Sequence, residues 1–370
     1  MNRRRFTATV AAAVAAGSRP AGAQPKAPYK IGVTWPLTGP VATFVGEVLK
    51  GGEVAVEDVN KAGGVGGHPV QLVVEDTAGT PQGGVTAMRK LVQVDGVQAL
   101  ISILTNVVTA QLPLAEQFKI PTLSQIETPG LLDKTTYCFA HAPTWGIVIP
   151  LIAKDWKSRG IKRVYGLMLN NALGLLEGPA CRAAAQGAGA EYAEALLDEG
   201  TMDFRGVVER VRDFNADAVV IPGQGGAVEL SALRQLRELT TKATVYSLGQ
   251  NYTSKAVHDA IGPYTEGMIF GGLYLDPTVA RTFVAAYKAK TGFIPSTQVA
   301  EQYDIVRMVA YAIGKAGYNG EAIGRTLATL KGFPSVFGGT VDMGTNHRTV
   351  IKAIGLFQVR SGRLTRIASA

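Results

Sequence analysis

Short apolar segments alternate regularly with longer amphipathic segments through most of this chain. The segment YKIGVTW at 29–35 predicts a buried strand, and residues 46–61 predict a helix because their apolar residues recur on one face. Such alternation predicts a parallel sheet that is covered by helices on both faces and has right-handed crossovers. Further strands are expected at 68–76, 99–104, 120–123, 162–169, 190–198, 217–223 and 243–249. The intervening helices are expected at 82–94, 105–118, 175–187, 204–214 and 227–239.

The alternation is interrupted once, at HAPTWG around residues 141–146, and then starts again. About 347 residues follow the leader described below, which is too long for one compact core. Two similar α/β units with a cleft between them are therefore expected.

The last third of the chain does not form a third unit. After a strand at 268–276, it predicts three helices and a short strand pair; the helices are expected at 278–290, 297–315 and 321–330. Returning these elements to the first unit divides the chain into lobe 1 (29–142 and 273–350) and lobe 2 (143–272 and 351–370). The predicted fold class is thus α/β, with two Rossmann-like parallel-sheet lobes. A hinge of three strands joins them and restricts their motion to opening and closing.

Residues 1–23 have the composition of an export signal. Three arginines precede a short Ala/Val run, and Ala21–Ala23 form a small-residue processing site, so cleavage after Ala23 is expected. Arg3, Arg4 and Phe6 fit a twin-arginine pattern, although the apolar run also suits general secretion. Loss of the leader's four arginines reduces the formal net charge from +8 to +4. With no basic run downstream, nothing indicates a nucleic-acid partner.

The segment from Val97 to Leu132 predicts the site. Two apolar strands in it are each followed by a polar turn, and the carboxyl ends of parallel strands meet helix N-termini at one edge of a sheet. Thr105, Asn106 and Thr128 are therefore placed to bind a carboxylate or carbonyl oxygen. The alternative is that they only cap helices.

No arrangement of residues typical of an enzyme is evident. The chain lacks G-x-G-x-x-G after its first strand, a P-loop and G-x-S-x-G, and Asp76 at the end of strand two is interpreted as an N-cap or loop organiser. The four histidines are scattered, so no metal or other cofactor is predicted. Cys138 and Cys181 either pair or remain two buried thiols.

Several motifs in order resemble the extracytoplasmic solute-binding proteins of branched-chain amino-acid-type ABC transporters, over essentially all of the mature length. They are Ile31–Gly46, Asp58–Asp76, Ile120–Leu132, Met202–Val220, the TEGMIF stretch and Glu301–Ile313. The resemblance implies the type I periplasmic binding fold and a periplasmic monomer without catalysis. It implies capture of a small solute by closure of two lobes, with membrane permease and ATPase subunits as partners. A soluble ligand sensor of the same fold is the alternative.

The resemblance also implies residue roles in lobe 1. Thr105 and Thr128 match the hydroxyls that fix a ligand carboxylate in amino-acid-binding relatives, and Ile126 matches a position that offers backbone polar groups. Phe44 matches an aromatic wall, and Tyr303 matches a hydroxylated aromatic residue.

Lobe 2 departs from the family pattern. Gln250, Asn251 and Tyr252 stand where relatives that bind an α-ammonium carry an acidic residue, and Gln224 and Leu173 stand at positions that are often aromatic. Because a buried cation needs a charged partner, a simple aliphatic amino acid is not the expected ligand. An aromatic or aliphatic carboxylate, or an amide, is expected instead.

Three further residues of the expected cleft have two interpretations each. Trp35 and Trp145 either stack on a ligand ring or pack in the hinge. Glu127 supplies a carboxylate, but it lies beside the carboxylate-binding turn, where it more naturally points elsewhere or pairs with a basic group.

Overall fold

The computed structural model describes residues 26–39, 41–171, 173–198, 200–222, 227–239, 242–249, 262–276, 278–351, 353–361 and 363–369. The leader and the predicted site residues Gln224, Asn251 and Tyr252 lie outside these ranges, as does the side chain of Phe44. Within the described part of the chain, no helix combines the length and apolar character needed to cross a membrane.

The first sheet has five parallel strands in the order β2-β1-β3-β4-β5. They are β1 (Tyr29–Trp35), β2 (Val70–Asp76), β3 (Leu100–Ser102), β4 (Thr122–Ser124) and β5 (Cys138–Ala140). The crossovers carry α1 (Ala42–Lys61), α2 (Pro81–Gln93) and α3 (Thr105–Phe118). The carboxyl ends are aligned, because Thr34 pairs with Ser102, Ser102 with Ser124 and Ser124 with Ala140.

The second sheet has seven strands in the order β15-β14-β10-β9-β8-β6-β7. They are β6 (Arg163–Leu169), β7 (Glu191–Leu197), β8 (Ala218–Ile221), β9 (Thr244–Ser247), β10 (Ile269–Leu273), β14 (Ile354–Arg360) and β15 (Arg363–Ser369). Its helices are α4 (Trp145–Arg159), α5 (Gly174–Gly187), α6 (Arg205–Asp213) and α7 (Ala227–Glu238). Among the described strands of this sheet, β14 pairs antiparallel with both β10 and β15, and β14 and β15 come from the far end of the chain.

The helices after β10 return to the first sheet. These are α8 (Arg281–Thr291), α9 (Thr297–Ala316) and α10 (Gly320–Ala328); α8 and α9 pack on α1, and α10 packs on α9. A small antiparallel sheet follows, formed by β11 (Phe333–Pro334), β12 (Thr340–Met343) and β13 (Thr349–Val350). Three connections therefore link the two sheets: β5 to α4, β10 to α8, and β13 to β14.

Local sequence signals explain many of the helix ends. Thr80 caps α2 by accepting a hydrogen bond from Gly83 N at 3.0 Å, with Pro81 at the first helical position. Ser296 and Asn319 cap α9 and α10 in the same way. Gly160 ends α4 in the left-handed conformation that glycine adopts without strain.

The expected α/β class with parallel sheets is confirmed, and most elements lie within a few residues of their predicted bounds. Helix α1 begins at Ala42 rather than at residue 46, and β3 is shorter than predicted because the chain leaves the sheet after Ser102 and enters α3 at Thr105. Cys138 in β5 and Cys181 in α5 are both buried free thiols.

Candidate functional site

The carboxyl edge of the first sheet brings two predicted hydroxyls together. Thr105 Oγ1 and Thr128 Oγ1 are 3.0 Å apart and share a hydrogen bond, although 23 residues separate them in sequence. Thr105 is the first residue of α3, and Thr128 is a buried residue of the turn after β4. The pair presents hydroxyls beside a helix N-terminus, which is an arrangement suited to a carboxylate.

The turn into α3 is strained at Leu104. This residue has φ 72° and ψ 126°, a backbone conformation that bulky residues rarely adopt. Gln111, on the inner face of α3, satisfies the buried strand ends: its amide donates to Thr34 Oγ1 at 3.0 Å and accepts from Ser102 Oγ at 2.8 Å. The Ser102 hydroxyl is therefore already used in a hydrogen bond within the fold, whereas Thr105 lies at the end of the strained turn.

Arg348 fixes the second turn from the far end of the chain. Its Nη1 donates to the carbonyl oxygen of Ile126 at 2.6 Å, and its Nη2 donates to the carbonyl oxygen of Thr128. Burial lowers the pKa of Arg348 to about 10, against the opposing charges of Glu127 and Asp133. The guanidinium remains charged at neutral pH and holds the 124–128 turn by two backbone acceptors. The carbonyl oxygen of Ile126 therefore already accepts a hydrogen bond from Arg348.

Asn106 and Leu173 lie at the starts of helices α3 and α5. Asn106 is exposed; its amide nitrogen donates to Gly79 O at 3.0 Å, and its Oδ1 accepts from Val107 N. Leu173 is buried at the N-cap position of α5, where its backbone N–H donates to Asn171 Oδ1 at 3.1 Å.

The Tyr303 side chain is held between two helices of the first unit. Its hydroxyl donates to Asp58 Oδ2 at 2.9 Å in the last turn of α1, and its ring centroid lies 4.4 Å from that of Phe283. Asp58 is sixteen residues from the start of α1, which corresponds to about 24 Å of helix. Tyr303 thus joins α9 to α1, because its hydroxyl is satisfied there.

Trp35 and Trp145 differ in their hydrogen bonding. Trp35 is fully buried, and its Nε1 donates to Val45 O at 3.1 Å, so it anchors α1 to β1. Trp145 opens α4 at the first connection, where its backbone N–H donates to Glu127 O at 3.2 Å. Its buried Nε1 has no hydrogen-bond partner among the described residues. The indole N–H is therefore free to meet a ligand or water atom.

Two glutamates lie at the matching edge of the second sheet. Glu177 in the first turn of α5 is 1% exposed, and Glu229 in the first turn of α7 is 2% exposed. Ser247 Oγ at the end of β9 donates to Glu229 Oε1 at 3.0 Å. Burial raises the pKa of Glu177, and the charges of Glu127 and Glu229 raise it further.

A buried acid and histidine lie beside the first connection. His141 Nδ1 is 2.8 Å from Thr349 Oγ1, and its Nε2 is 3.7 Å from Asp304 Oδ2. Asp304 accepts from Ser335 Oγ at 2.6 Å, Val336 N and Arg307 Nη1. Burial lowers the pKa of His141 to about 3 and raises that of Asp304 to about 6. The pair joins β5 to α9 and the small sheet.

The remaining acidic candidate organises a loop. Asp76 Oδ1 accepts from the backbone N–H groups of Leu37 and Ala78, and its Oδ2 accepts from the Thr38 hydroxyl, which agrees with the interpretation from sequence. The described residues contain no group of three or more His, Cys, Asp or Glu side chains placed to hold a metal ion.

Sequence reasoning missed Glu177, Glu229 and Arg348. The sequence did contain a sign of Glu177. Leu173, Glu177 and Cys181 are spaced by four residues and so share one face of α5, and a carboxylate among buried apolar residues on that face is unusual. No local pattern marks Arg348, because its partners lie 220 or more residues away.

The family model for periplasmic binding proteins matches residues 28–363. A Leu/Ile/Val-binding protein of Rhizobium johnstonii is 26% identical over 352 residues, covering 90% of this chain and 92% of that protein. The fold is similar to that of a leucine-binding protein from Thermotoga maritima, with TM-score 0.83, 23% identity and coverage of 92% and 97%. It is equally similar to a solute-binding protein of an ABC transporter from R. palustris in complex with benzoate, with TM-score 0.83, 17% identity and coverage of 92% and 96%.

Proposed function

The chain belongs to the periplasmic binding protein family, and from this premise we propose that it is the substrate-binding component of an ABC importer. It captures a small organic solute between lobe 1 (29–142 and 273–350) and lobe 2 (143–272 and 351–370). The names of its relatives support this role, since they include Leu/Ile/Val-binding proteins and a benzoate complex of an ABC transporter's solute-binding protein. Membrane permease and ATPase subunits are the partners that the role requires.

The observation that carries the proposal is the hydroxyl pair of Thr105 and Thr128. Two strand ends of the first sheet converge on it, and Arg348 holds the second turn in place. We place the polar head group of the solute against this pair, with Asn106 and Ile126 beside it and Leu173, Gln224 and Asn251 on the facing lobe. Phe44, Trp145, Glu127 and Tyr252 complete the proposed wall.

Solute binding favours the closed form because only that form lets both lobes touch the solute at once. The difference in shape between loaded and empty protein is then what a permease recognises. No bond of the solute is made or broken.

We further propose that residues 1–23 are a cleaved export signal and that the mature protein, from Gln24, acts in the periplasm. Arg3, Arg4 and the Ala21–Ala23 processing site support this. Edman sequencing of the protein recovered from the periplasmic fraction tests it, with Gln24 as the expected first residue.

A thermal-shift screen of the mature protein tests the binding role. The panel contains branched-chain amino acids, aromatic and aliphatic carboxylates, short amides and amidines. A solute at 100 times its dissociation constant is expected to stabilise the native state by about 2.7 kcal/mol. The variant Thr128→Val is expected to weaken binding of a hit about tenfold, because it removes one hydroxyl with little change of shape.

Thr326→Val is the matched control, since Thr326 Oγ1 donates to the carbonyl oxygen of Ala322 within α10. Equal loss of affinity in both threonine variants would argue against the proposed docking position. A protein that responds to no class of solute would contradict the binding role itself.

A further inference from the structure

Glu177 and Glu229 belong to neighbouring helix starts. Strands β6 and β8 are adjacent in the second sheet, and β9 follows β8. Helix α5 follows β6 and α7 follows β8, so the first turns of both helices lie at the same edge of the sheet. Ser247, at the end of β9, ties Glu229 to this edge by its 3.0 Å hydrogen bond.

One carboxyl oxygen of Glu177 is buried without a hydrogen-bond partner among the described residues. Its Oε2 is closed to solvent and has no hydrogen-bond partner among the described residues, and no basic side chain in that part of the chain forms an ion pair with it. An unpaired buried carboxylate is strongly unfavourable, so such groups are nearly always hydrogen-bonded. The buried Nε1 of Trp145, on the helix whose backbone contacts Glu127, is unsatisfied in the same way.

The two described side chains whose charges act on Glu177 are both acidic. Glu127 on the first-sheet turn and Glu229 on α7 both raise the pKa of its carboxyl, and Cys181 lies one turn further along α5. Burial raises the pKa of the Cys181 thiol, and the charges of Glu177 and of Glu194 on β7 raise it further. Arg348, the cation that acts on Glu127, is committed to the carbonyl groups of Ile126 and Thr128. Among the described residues, no basic side chain is paired with Glu177 at this edge.

We propose that Glu177, supported by Glu229, forms the subsite for a cationic nitrogen of the captured solute, either a protonated amine or an amidinium. Oε2 of Glu177 accepts one N–H of that group, and Glu229, held by Ser247, contributes the second negative charge. The subsite lies across the cleft from the Thr105–Thr128 hydroxyls, so closure brings both ends of one solute into contact.

This inference rests on the proposed function and revises the solute expected from sequence. The neutral residues at 250–252 led to the expectation of a solute without an ammonium group. The buried carboxylates on α5 and α7 give such a group a partner from different positions of the same lobe. A carboxylate solute without a cationic nitrogen, such as benzoate, forms no ion pair with the two buried glutamates.

The test runs the same panel on the wild type, on Glu177→Gln and on Glu191→Gln, an exposed glutamate of β7 that serves as matched control. Matched pairs in the panel differ only in the cationic nitrogen or its replacement: leucine with 4-methylpentanoate, and benzamidine with benzoate. We expect the hits to carry the cationic nitrogen, and we expect Glu177→Gln to bind them about thirtyfold or more weakly while Glu191→Gln binds them as the wild type does. Thermal unfolding without solute shows whether each variant is folded.

Calorimetry of the wild type gives a second readout that needs no variant. Titrating a hit in two buffers of different ionisation enthalpy measures the protons exchanged on binding. A cation that forces Glu177 into its charged form releases protons, whereas an anion that accepts a hydrogen bond from neutral Glu177 releases none or takes them up.

The outcomes separate this inference from the function on which it rests. Hits that are anionic or neutral, with unchanged affinity in Glu177→Gln and no proton release, overturn the cation subsite and leave the binding role intact. A wild type that responds to no member of the panel overturns both.

Discussion

Arg348 Nη1 lies 2.6 Å from the carbonyl oxygen of Ile126, and this contact joins the loop before β13 to the turn after β4 across 222 residues of sequence. The same guanidinium donates to the carbonyl of Thr128, whose hydroxyl meets Thr105. The position of the proposed docking turn thus depends on a residue close to the third connection between the sheets.

Replacing Arg348 by methionine should destabilise the protein by about 3 kcal/mol. The substitution keeps most of the apolar stem but leaves two buried carbonyl groups without a donor. Urea unfolding followed by circular dichroism measures the change. Arg325→Met is the control, because that arginine is exposed and its one ion pair with a described residue is with Glu321 on the same helix, a contact worth about 0.5 kcal/mol or less. Equal effects of the two substitutions would contradict the role given to Arg348.

Protonation of His141 in acid should lower the free energy of unfolding. Its folded pKa, lowered by burial to about 3, lies below the unfolded value of 6.5, so its contribution is complete above pH 6.5 and is lost as the pH falls toward 3. Between pH 7 and pH 4 the loss from this group is about 3 kcal/mol. Asp304 acts in the opposite sense: its folded pKa is raised to about 6, so protonation of its carboxyl as the pH falls stabilises the folded state.

Comparison with His141→Asn measures the histidine contribution. The amide keeps a partner for Thr349 but does not titrate, so the variant should lose less stability than the wild type between pH 7 and pH 4. Urea midpoints taken at each pH provide the data. Parallel curves for the two proteins would show that His141 does not control the acid limit.

Gly271 lies in the middle of β10, where α4 packs closely on the sheet. A Cβ at this position would lie 2.9 Å from Val148 Cγ2 and 3.0 Å from Val148 Cβ, and a β-branched side chain has little room to rotate away. Gly271→Ala should therefore cost about 1–3 kcal/mol. Adding Val148→Ala should recover part of that loss, which a double-mutant cycle on thermal unfolding detects. Strict additivity would contradict the proposed clash.

Both thiols should be unreactive in the native protein. Cys138 and Cys181 are free and buried, and burial raises the pKa of Cys138 to about 12, which leaves almost no thiolate at neutral pH. Iodoacetamide at pH 7.5 should add no label to the folded mature protein and two labels in guanidinium chloride, as counted by intact mass. A denatured protein without reactive thiols would indicate a disulfide instead.

The fold was largely predictable because alternating apolar segments determine it locally. Residues 29–35 match β1 and the Ser296-capped helix lies where its apolar period predicted it, since both depend on contacts that each element makes along a whole face. The turns after β3 and β4 were predictable for the same reason: strand ends in a parallel sheet share an edge.

The candidate site was predictable only where its residues follow strands that are adjacent in the sheet. Thr105 and Thr128 come from adjacent strands, but Arg348, Asp304 and His141 meet through connections that carry no periodic pattern. Tyr303 was assigned by position in a family pattern, and its actual partner, Asp58, lies on a helix whose packing the sequence does not specify. Glu177 was not predicted because a lone glutamate in a helix is ordinarily exposed, whereas this one lies on the buried face of α5.

Neither unit, taken as a sheet together with the helices that cover it, is built from one continuous stretch of chain. Strands β14 and β15 complete the second sheet only after α8, α9 and α10 have returned to the first. Helix α1 therefore packs against α9, which is more than 230 residues away in sequence, and β10 pairs with the distant strand β14. Contacts of such long separation form slowly, because large loops must close first. Both units must consequently finish folding together and late, and no single cut in the chain yields either one intact.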